Sequence, residues 1–221
     1  MHFEILVEDL SGSKALKILV PKIIGSGHSY NIFSYKGLGR IPPNLESGKD
    51  ASKRILLNQL PRILAGYGKT FQGYGSAYAV AVIVVCDLDR RDKEDFLKEL
   101  NTVLLNCNPQ PNTRFCLAIE EMEAWYLGDF NALKKAYPQL KTSILKTYIN
   151  DSICDTWELL ADIVCAGGRA PLINGGFHIA GLEKSNWAIN ISPHMDVENN
   201  NSPSFNFFRE TLLELIDDFD S

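Results

Sequence analysis

Four short apolar runs in the first 119 residues have the pattern of β-strands. They cover residues 3–7, 30–35, 79–86 and 114–119. The third run, AVAVIVVC, is apolar at every position, which is typical of a parallel strand covered on both faces. The other three are shorter and end in polar or glycine-containing segments. These runs predict a sheet of about four strands.

Amphipathic stretches with helical spacing separate the predicted strands. They cover residues 13–24, 50–64 and 92–105. Pro21 predicts a bend or an early end of the first helix, and Pro61 predicts a kink in the second. Strands that alternate with helices in this way favour a parallel sheet with helices on its faces.

Beyond residue 119 the pattern is mostly helical. Helices are predicted over residues 120–127, 131–137 and 156–164, and a last one follows Ser202 as N-cap and Pro203 in its first turn. Loops are predicted at the glycine pairs 167–168 and 175–176 and at residues 198–201. The expected architecture is therefore an α/β, Rossmann-like domain over residues 1–128 with a helical C-terminal extension, residues 129–221, packed on the same core.

Composition fits a globular chain that can bury a sizeable core. Of 221 residues 45% are hydrophobic and 22% are charged, and the formal net charge is −5. The charge is unevenly distributed, because residues 1–119 hold 15 Lys and Arg against 11 Asp and Glu, whereas residues 120–221 hold 7 against 16. The basic half keeps a nucleic-acid substrate possible despite the acidic total.

Cysteine usage and the N-terminal sequence predict a cytoplasmic protein. The five cysteines form no CxxC pair and no Cys/His cluster. The sequence MHFEILVEDL has acidic residues where a signal peptide would be basic. The longest apolar run is about half of the ~20 residues that a membrane-spanning helix needs. No membrane association is expected.

Acidic residues follow three of the predicted strands. Glu8 and Asp9 follow the first strand, Asp87 and Asp89 the third, and a group of three the fourth: Glu120, Glu121 and Glu123. The carboxyl ends of parallel strands meet at one edge of a sheet, where ligands bind. Several carboxylates in one place repel each other unless a cation is present, and oxygen ligands suit Mg²⁺ or Mn²⁺. These acids predict a divalent-metal site.

Some of these residues have a purely structural interpretation as well. An Asp after a strand is often a helix cap, which is the favoured interpretation of Asp92. Glu123 is expected to share a helical face with Glu120, whereas Glu121 is expected to be solvated. Trp125 and Tyr126 are expected in the core. Asp87 directly follows an apolar strand, where burial of an unpaired carboxylate costs free energy. A functional role is therefore the favoured interpretation of Asp87.

The order of these segments resembles a known family. The segments are ILVED (residues 5–9), GLG (37–39), VVCDLDRRD (84–92) and AIEEMEAWYLGD (118–129), followed by KSNW (184–187) and SPSF (202–205). Together they resemble Toprim-type domains and, more narrowly, the prokaryotic domain-of-unknown-function 4276 family, which is assigned a Toprim-like fold. The similarity covers most of the chain.

The resemblance implies metal-dependent phosphodiester chemistry on nucleic acid. Glu8 matches the Toprim glutamate, a general acid or base, and Asp87 and Asp89 match the pair that binds Mg²⁺ or Mn²⁺. Glu120 and Glu123 are further candidate metal ligands from the narrower motif. This chain has Asp9 where many Toprim domains have glycine. Members of the wider group include nucleases of the overcoming-lysogenization-defect type and resemble effectors of phage defence.

Basic residues near the same strand ends are candidates to contact phosphates. They are Lys14, Lys36, Arg40, Arg90 and Arg91. Other expected partners are an ATPase encoded beside the protein and a second copy of the chain as a homodimer. Two alternatives to a nuclease stay open: a non-catalytic module regulated by such a partner, and a nucleotide-sugar glycosyltransferase that uses Asp87 and Asp89 alone.

Overall fold

The fold is built on one parallel four-stranded sheet. A computed structural model describes residues 1–46, 53–74, 78–152 and 155–220. The strands are β1 (His2–Val7), β2 (Ser29–Ser34), β3 (Val80–Asp87) and β4 (Thr113–Ala118), in the order β2-β1-β3-β4. Each strand lies within one residue of its predicted bounds. The prediction of an α/β fold with a parallel sheet is confirmed.

Three helices connect the strands: α1 (Leu10–Ile24), α2 (Leu56–Gln72) and α3 (Lys93–Leu105). The start of the predicted second helix, at residues 50–52, lies outside the described residues. Pro21 and Pro61 both lie inside helices that continue past them, so Pro21 does not end its helix early. Buried leucines along α2 supply packing that offsets the backbone hydrogen bond lost at Pro61.

The part of the chain after the sheet is helical, as predicted. Its helices are α4 (Glu123–Leu127), α5 (Phe130–Ala136), α6 (Thr142–Leu145), α7 (Thr156–Val164), α8 (Ala170–Ile191) and α9 (Pro203–Asp220), with a 3-10 helix at Ser192–His194. The loop predicted at Gly175 and Gly176 is reduced to a kink at Gly176. The backbone there is not helical (φ +78°, ψ 177°), and it separates two helical segments of α8. Ser202 caps α9 as predicted, accepting the N–H of Phe205.

Two hydrophobic cores cover the faces of the sheet. Alternate strand residues such as Ile5 and Ile83 face α1 and the C-terminal helices, whereas Leu6 and Val84 face α2 and α3. The first core continues into the C-terminal half through Trp187, Phe205 and other buried residues, so the helical extension packs on the sheet domain. Trp125 and Tyr126 lie in this core, as predicted. None of the helices among the described residues combines the length and apolarity needed to cross a membrane.

The strand order creates a crevice between β1 and β3. The chain moves from β1 through α1 to β2 on one side, while β3 pairs with β1 on the other side. Val7 lies opposite Val85, and Asp87 lies opposite Ala118, so three strands end at the same edge. In sheets of this order, the point where strands diverge is where ligands bind. Glu8 and Asp87 flank this point.

Gly39 fixes the loop after β2, residues 36–46, against α2. Its φ is +72°, and an added Cβ would lie 2.1 Å from Cγ2 of Ile55 and 2.4 Å from Oδ1 of Asn58. Gly39→Ala is therefore expected to lower the free energy of unfolding by about 2 kcal/mol or more, through backbone strain and steric overlap. Thermal unfolding checks this. Gly27→Ala is the matched control, because nothing lies within 4 Å of its added Cβ, and an equal effect of both variants would contradict the account.

Candidate active site

Glu8 and Asp87 form the centre of an acidic cluster at the carboxyl edge of the sheet. The backbone N–H of Asp87 donates to Oε2 of Glu8 over 3.4 Å. Burial, and next the charge of Asp89, raise the pKa of Glu8 to about 7. Burial and the charge of Glu8 raise the pKa of Asp87 well above its ordinary value. Each carboxylate is thus destabilised in its charged form by burial and by its neighbours.

Asp89 lies next to this pair in a left-handed backbone conformation. Its φ is +50°, and its N–H donates to the carbonyl of Glu120 over 3.1 Å. Burial and the charge of Glu121 raise its pKa, while Arg91 and Lys184 act in the opposite direction. The structure therefore brings the three predicted catalytic residues to one edge of the sheet, with Glu8 within electrostatic reach of both Asp87 and Asp89.

Asp9 has a structural role as the N-cap of α1. Its side chain caps α1, accepting the N–H of Gly12 over 2.7 Å and the hydroxyl of Ser11. A cap at this position starts α1 at Leu10, three residues before the predicted start. Asp92 caps α3 in the same way, accepting the N–H of Asp95 over 2.9 Å, as the sequence predicted.

Lys184 supplies the positive charge beside these acids. It reaches in from α8, and its Nζ lies 3.0 Å from Oε1 of Glu121 and 3.5 Å from Oε2 of Glu123. Burial lowers the pKa of Lys184, but the charges of Glu123 and Glu121 outweigh this and raise it above its ordinary value. Lys184 also lowers the pKa of Asp87. The lysine is therefore a fixed counter-charge for the cluster.

Glu121 and Glu123 are both held by this lysine. The expectation that Glu121 is solvated was wrong, because its Oε2 also accepts the N–H of Trp157 over 3.1 Å and it thereby joins the cluster to α7. Glu123 is 3% exposed. Burial raises the pKa of Glu123 to about 7, although Lys184 lowers it. Both carboxylates thus depend on Lys184 for compensation.

Glu120 points to a neighbouring pocket. Its φ is +75°, and α4 begins only at Glu123, so the two do not share a helical face as predicted. Among the described residues, Oε2 of Glu120 is buried with no hydrogen-bond partner. A pocket of about 240 Å³ is lined by Asp89, Arg90, Glu120, Glu121 and Asp155. Arg90 lies 3.3 Å from the carboxylate of Asp155 there.

Two of the predicted phosphate-contacting residues share a larger cleft. Arg40 and Arg91 line a space of about 650 Å³ between the loop of residues 36–46 and α3, named here the loop–α3 cleft. Arg91 donates to the carbonyl of Gly39 over 3.1 Å. Lys14 lies in α1 and Lys36 in the loop after β2, and neither lines this cleft or the Glu120 pocket.

The carboxylate oxygens at the carboxyl edge of the sheet are ligands of the kind that Mg²⁺ and Mn²⁺ prefer. Among the described residues, no three His, Cys, Asp or Glu side chains are placed so that together they could hold a metal ion. Mg²⁺ commonly uses only one or two protein carboxylates and takes waters and substrate phosphates as its other ligands. Glu8, Asp87 and Asp89 provide oxygen donors of that kind at the crevice. The residues present thus fit a two-carboxylate site.

The sequence patterns did not identify Lys184 and Asp155 as members of this edge, and they left Glu121 as a solvated side chain. Lys184 is 63 residues from Glu121 and lies on a helix interrupted by glycines. The one available signal was the KSNW segment, residues 184–187, which belongs to the family resemblance.

Comparison with known proteins identifies the family. Residues 7–213 match the family described as a domain of unknown function (DUF4276). The match includes every acidic residue of the cluster and Lys184. Neither the curated proteins nor the solved structures contain a match. Because the match covers most of its length, the chain belongs to the DUF4276 family.

Proposed function

We propose that the protein performs metal-dependent phosphodiester chemistry on nucleic acid, as a nuclease of the Toprim type. The observation that carries the proposal is the pairing of Glu8 with Asp87 at the strand-order crevice, where both carboxylates have raised pKa values. Perturbed carboxylates in a ligand-binding crevice are typical of catalytic sites. Structural ion pairs usually lower a carboxylate pKa instead.

The roles of the residues follow from their places in the cluster. Asp87 and Asp89 would hold Mg²⁺ or Mn²⁺, which when bound would supply charge neutralisation at the phosphate and an activated water. Glu8, with a pKa of about 7, can take up or release a proton near neutral pH, as a general acid or base must. Lys184 keeps Glu121 and Glu123 charge-balanced behind them.

The surrounding cations support a polyanionic substrate. Arg90 borders the Glu120 pocket together with Asp89, and Arg40 and Arg91 line the loop–α3 cleft. Guanidinium groups bind phosphate oxygens through paired hydrogen bonds. A strand that contacts both spaces would therefore meet cations beside the acids, in keeping with the basic first half of the chain. Control of this activity by an ATPase partner, as in phage defence, is part of the same proposal.

Cleavage assays with purified protein test the proposal. We expect cleavage of single- or double-stranded DNA or RNA with Mg²⁺ or Mn²⁺, and none with a chelator. Glu8→Gln and Asp87→Asn are expected to lower the cleavage rate by a factor of about 100 or more, since each removes a charged group from the reacting edge. Glu214→Gln, an exposed position on α9, is the control.

The same assay separates the alternatives. Equal cleavage by the wild-type protein and both site variants would assign the activity to a contaminant and contradict the proposal. No cleavage of any nucleic acid, alone or with the products of neighbouring genes, would favour a non-catalytic partner module. Turnover of a nucleotide-sugar that depends on Asp87 but not on Glu8 would favour the glycosyltransferase.

A further inference from the structure

We propose that the loop–α3 cleft binds one nucleotide of the strand beside the reacting phosphate and that its acidic end selects guanine. This inference rests on the proposed function and adds a base preference to it. The cleft has a volume of about 650 Å³, within the range of small-molecule sites. It has three parts of different chemistry: a cationic end, an apolar wall and an acidic end.

The cationic end lies beside the acidic cluster. The guanidinium of Arg91 is 4.5 Å from the ring centroid of Phe96, and the charge of Arg91 acts on Asp89. Its bond to the carbonyl of Gly39 holds it at the mouth of the cleft, where Arg40 also lies. Planar guanidinium groups favour phosphate and stack on bases. A phosphate at this end would therefore be close to the proposed reaction centre.

The wall of the cleft is apolar. It is formed by residues of the loop after β2 and by one buried ring of α3: Ile41, Pro42, Pro43, Leu45 and Phe96. Surfaces of this kind accommodate the flat face of a nucleobase, because bases pack on aromatic and apolar side chains. A purely anionic ligand such as inorganic phosphate would make no use of this wall.

The acidic end is formed by one face of α3. Asp92, Asp95 and Glu99 follow each other at spacings of three and four, which places them on the same side of the helix. The carboxylate of Asp92 caps the helix, and Oδ1 of Asp95 lies 3.5 Å from Nζ of Lys98. Glu99 and Oδ2 of Asp95 are therefore the further acceptors. Their negative charge repels phosphate, which orients the nucleotide with its phosphate at the arginines.

Guanine is the base whose edge fits this end best. A carboxylate only accepts hydrogen bonds, and guanine offers two adjacent donors, N1–H and the N2 amino group, whereas uracil offers one donor between two acceptors. Asp92 and Glu99 lie seven residues apart, about 10 Å along the helix axis. This is of the same order as the distance from the phosphate of a nucleotide to the far edge of its base.

Binding of free mononucleotides to the full-length protein tests the proposal without any cleavage. In the presence of a chelator we expect 5′-GMP to bind about fivefold or more tighter than 5′-UMP, by NMR titration or calorimetry. The amide shifts should change mainly in residues 38–46 and 91–102. The double variant Asp95→Asn and Glu99→Gln should bind both nucleotides equally, whereas the exposed control Glu214→Gln should keep the preference.

Equal affinity for 5′-GMP and 5′-UMP, or shifts confined to other parts of the protein, would overturn the proposal. The double variant must also remain folded, which its amide spectrum reports in the same titration. Because this assay needs neither metal nor cleavage, its outcome is separable from that of the nuclease assay. Cleavage without GMP preference would reject the cleft alone, and GMP preference without any cleavage would reject the proposed nuclease.

Discussion

Glu8→Gln is expected to stabilise the protein at pH 8 by about 3 kcal/mol, and by less than about 1 kcal/mol at pH 5. Burial and the charge of Asp89 raise the pKa of Glu8 from 4.5 to about 7 in the folded protein. The unfolded chain therefore releases this proton at lower pH than the folded protein does. Stability is lost as the pH rises from 4.5 through 7, and Gln, which never ionises, avoids that loss.

Thermal unfolding in the presence of a chelator measures this effect. For a protein of this size, 3 kcal/mol corresponds to an increase in melting temperature of about 6 to 12 °C at pH 8. Glu214→Gln, on the exposed face of α9, should leave the melting temperature unchanged at both pH 8 and pH 5. A Glu8→Gln variant that is no more stable than wild type at pH 8 would show that Glu8 carries no buried charge, and would weaken the proposed site with it.

This prediction links stability to function. The same substitution that stabilises the fold is expected to abolish cleavage, because the repulsion among Glu8, Asp87 and Asp89 is what a cation would relieve. A purely structural carboxylate would behave in the opposite way, since its removal would break an ion pair and destabilise the protein. Stability and activity measured on one variant thus distinguish the two roles.

The strands and the acidic edge were predictable because both depend on local patterns. Apolar runs such as residues 79–86 mark strands covered on both faces, and parallel strands bring their carboxyl ends together. Glu8 and Asp87 could therefore be assigned to one edge without knowledge of the strand order. Asp92 could be recognised as a cap for the same local reason, its position before an amphipathic stretch.

The lysine and its helix were not predictable in the same way. Glycine lowers helix propensity, so the sequence around Gly175, Gly176 and Gly181 did not predict α8. The formation of this helix depends on its packing against α1 and α5. The contact between Lys184 and Glu121 joins residues far apart in the chain, and no spacing rule applies to it. Tertiary packing also overrode the local effects of Pro21 and Pro61.

Lys184 is expected to contribute strongly to stability. Lys184→Met removes the cation between Glu121 and Glu123, which are 17% and 4% exposed at the side chain. Among the described residues, it leaves the buried Glu123 without a cation and Glu121 with only the hydrogen bonds from Thr156 and Trp157. We expect a loss of about 3 to 5 kcal/mol in the free energy of unfolding at pH 8. Lys134→Met, at an exposed position of α5, is the matched control and should have little effect.

The pH dependence separates lost charge from lost packing. Lys184 lowers the pKa of Glu123, which is nevertheless about 7 because of burial, so without the lysine Glu123 should hold its proton to still higher pH. At pH 5 the neutral carboxyl no longer needs a cation, and the Lys184→Met variant should recover much of its stability. Combining it with Glu123→Gln should recover stability at pH 8 as well. A deficit that is equal at both pH values and unaffected by Glu123→Gln would show instead that Lys184 acts through its contact with Trp157, and the cluster would then need no fixed counter-charge.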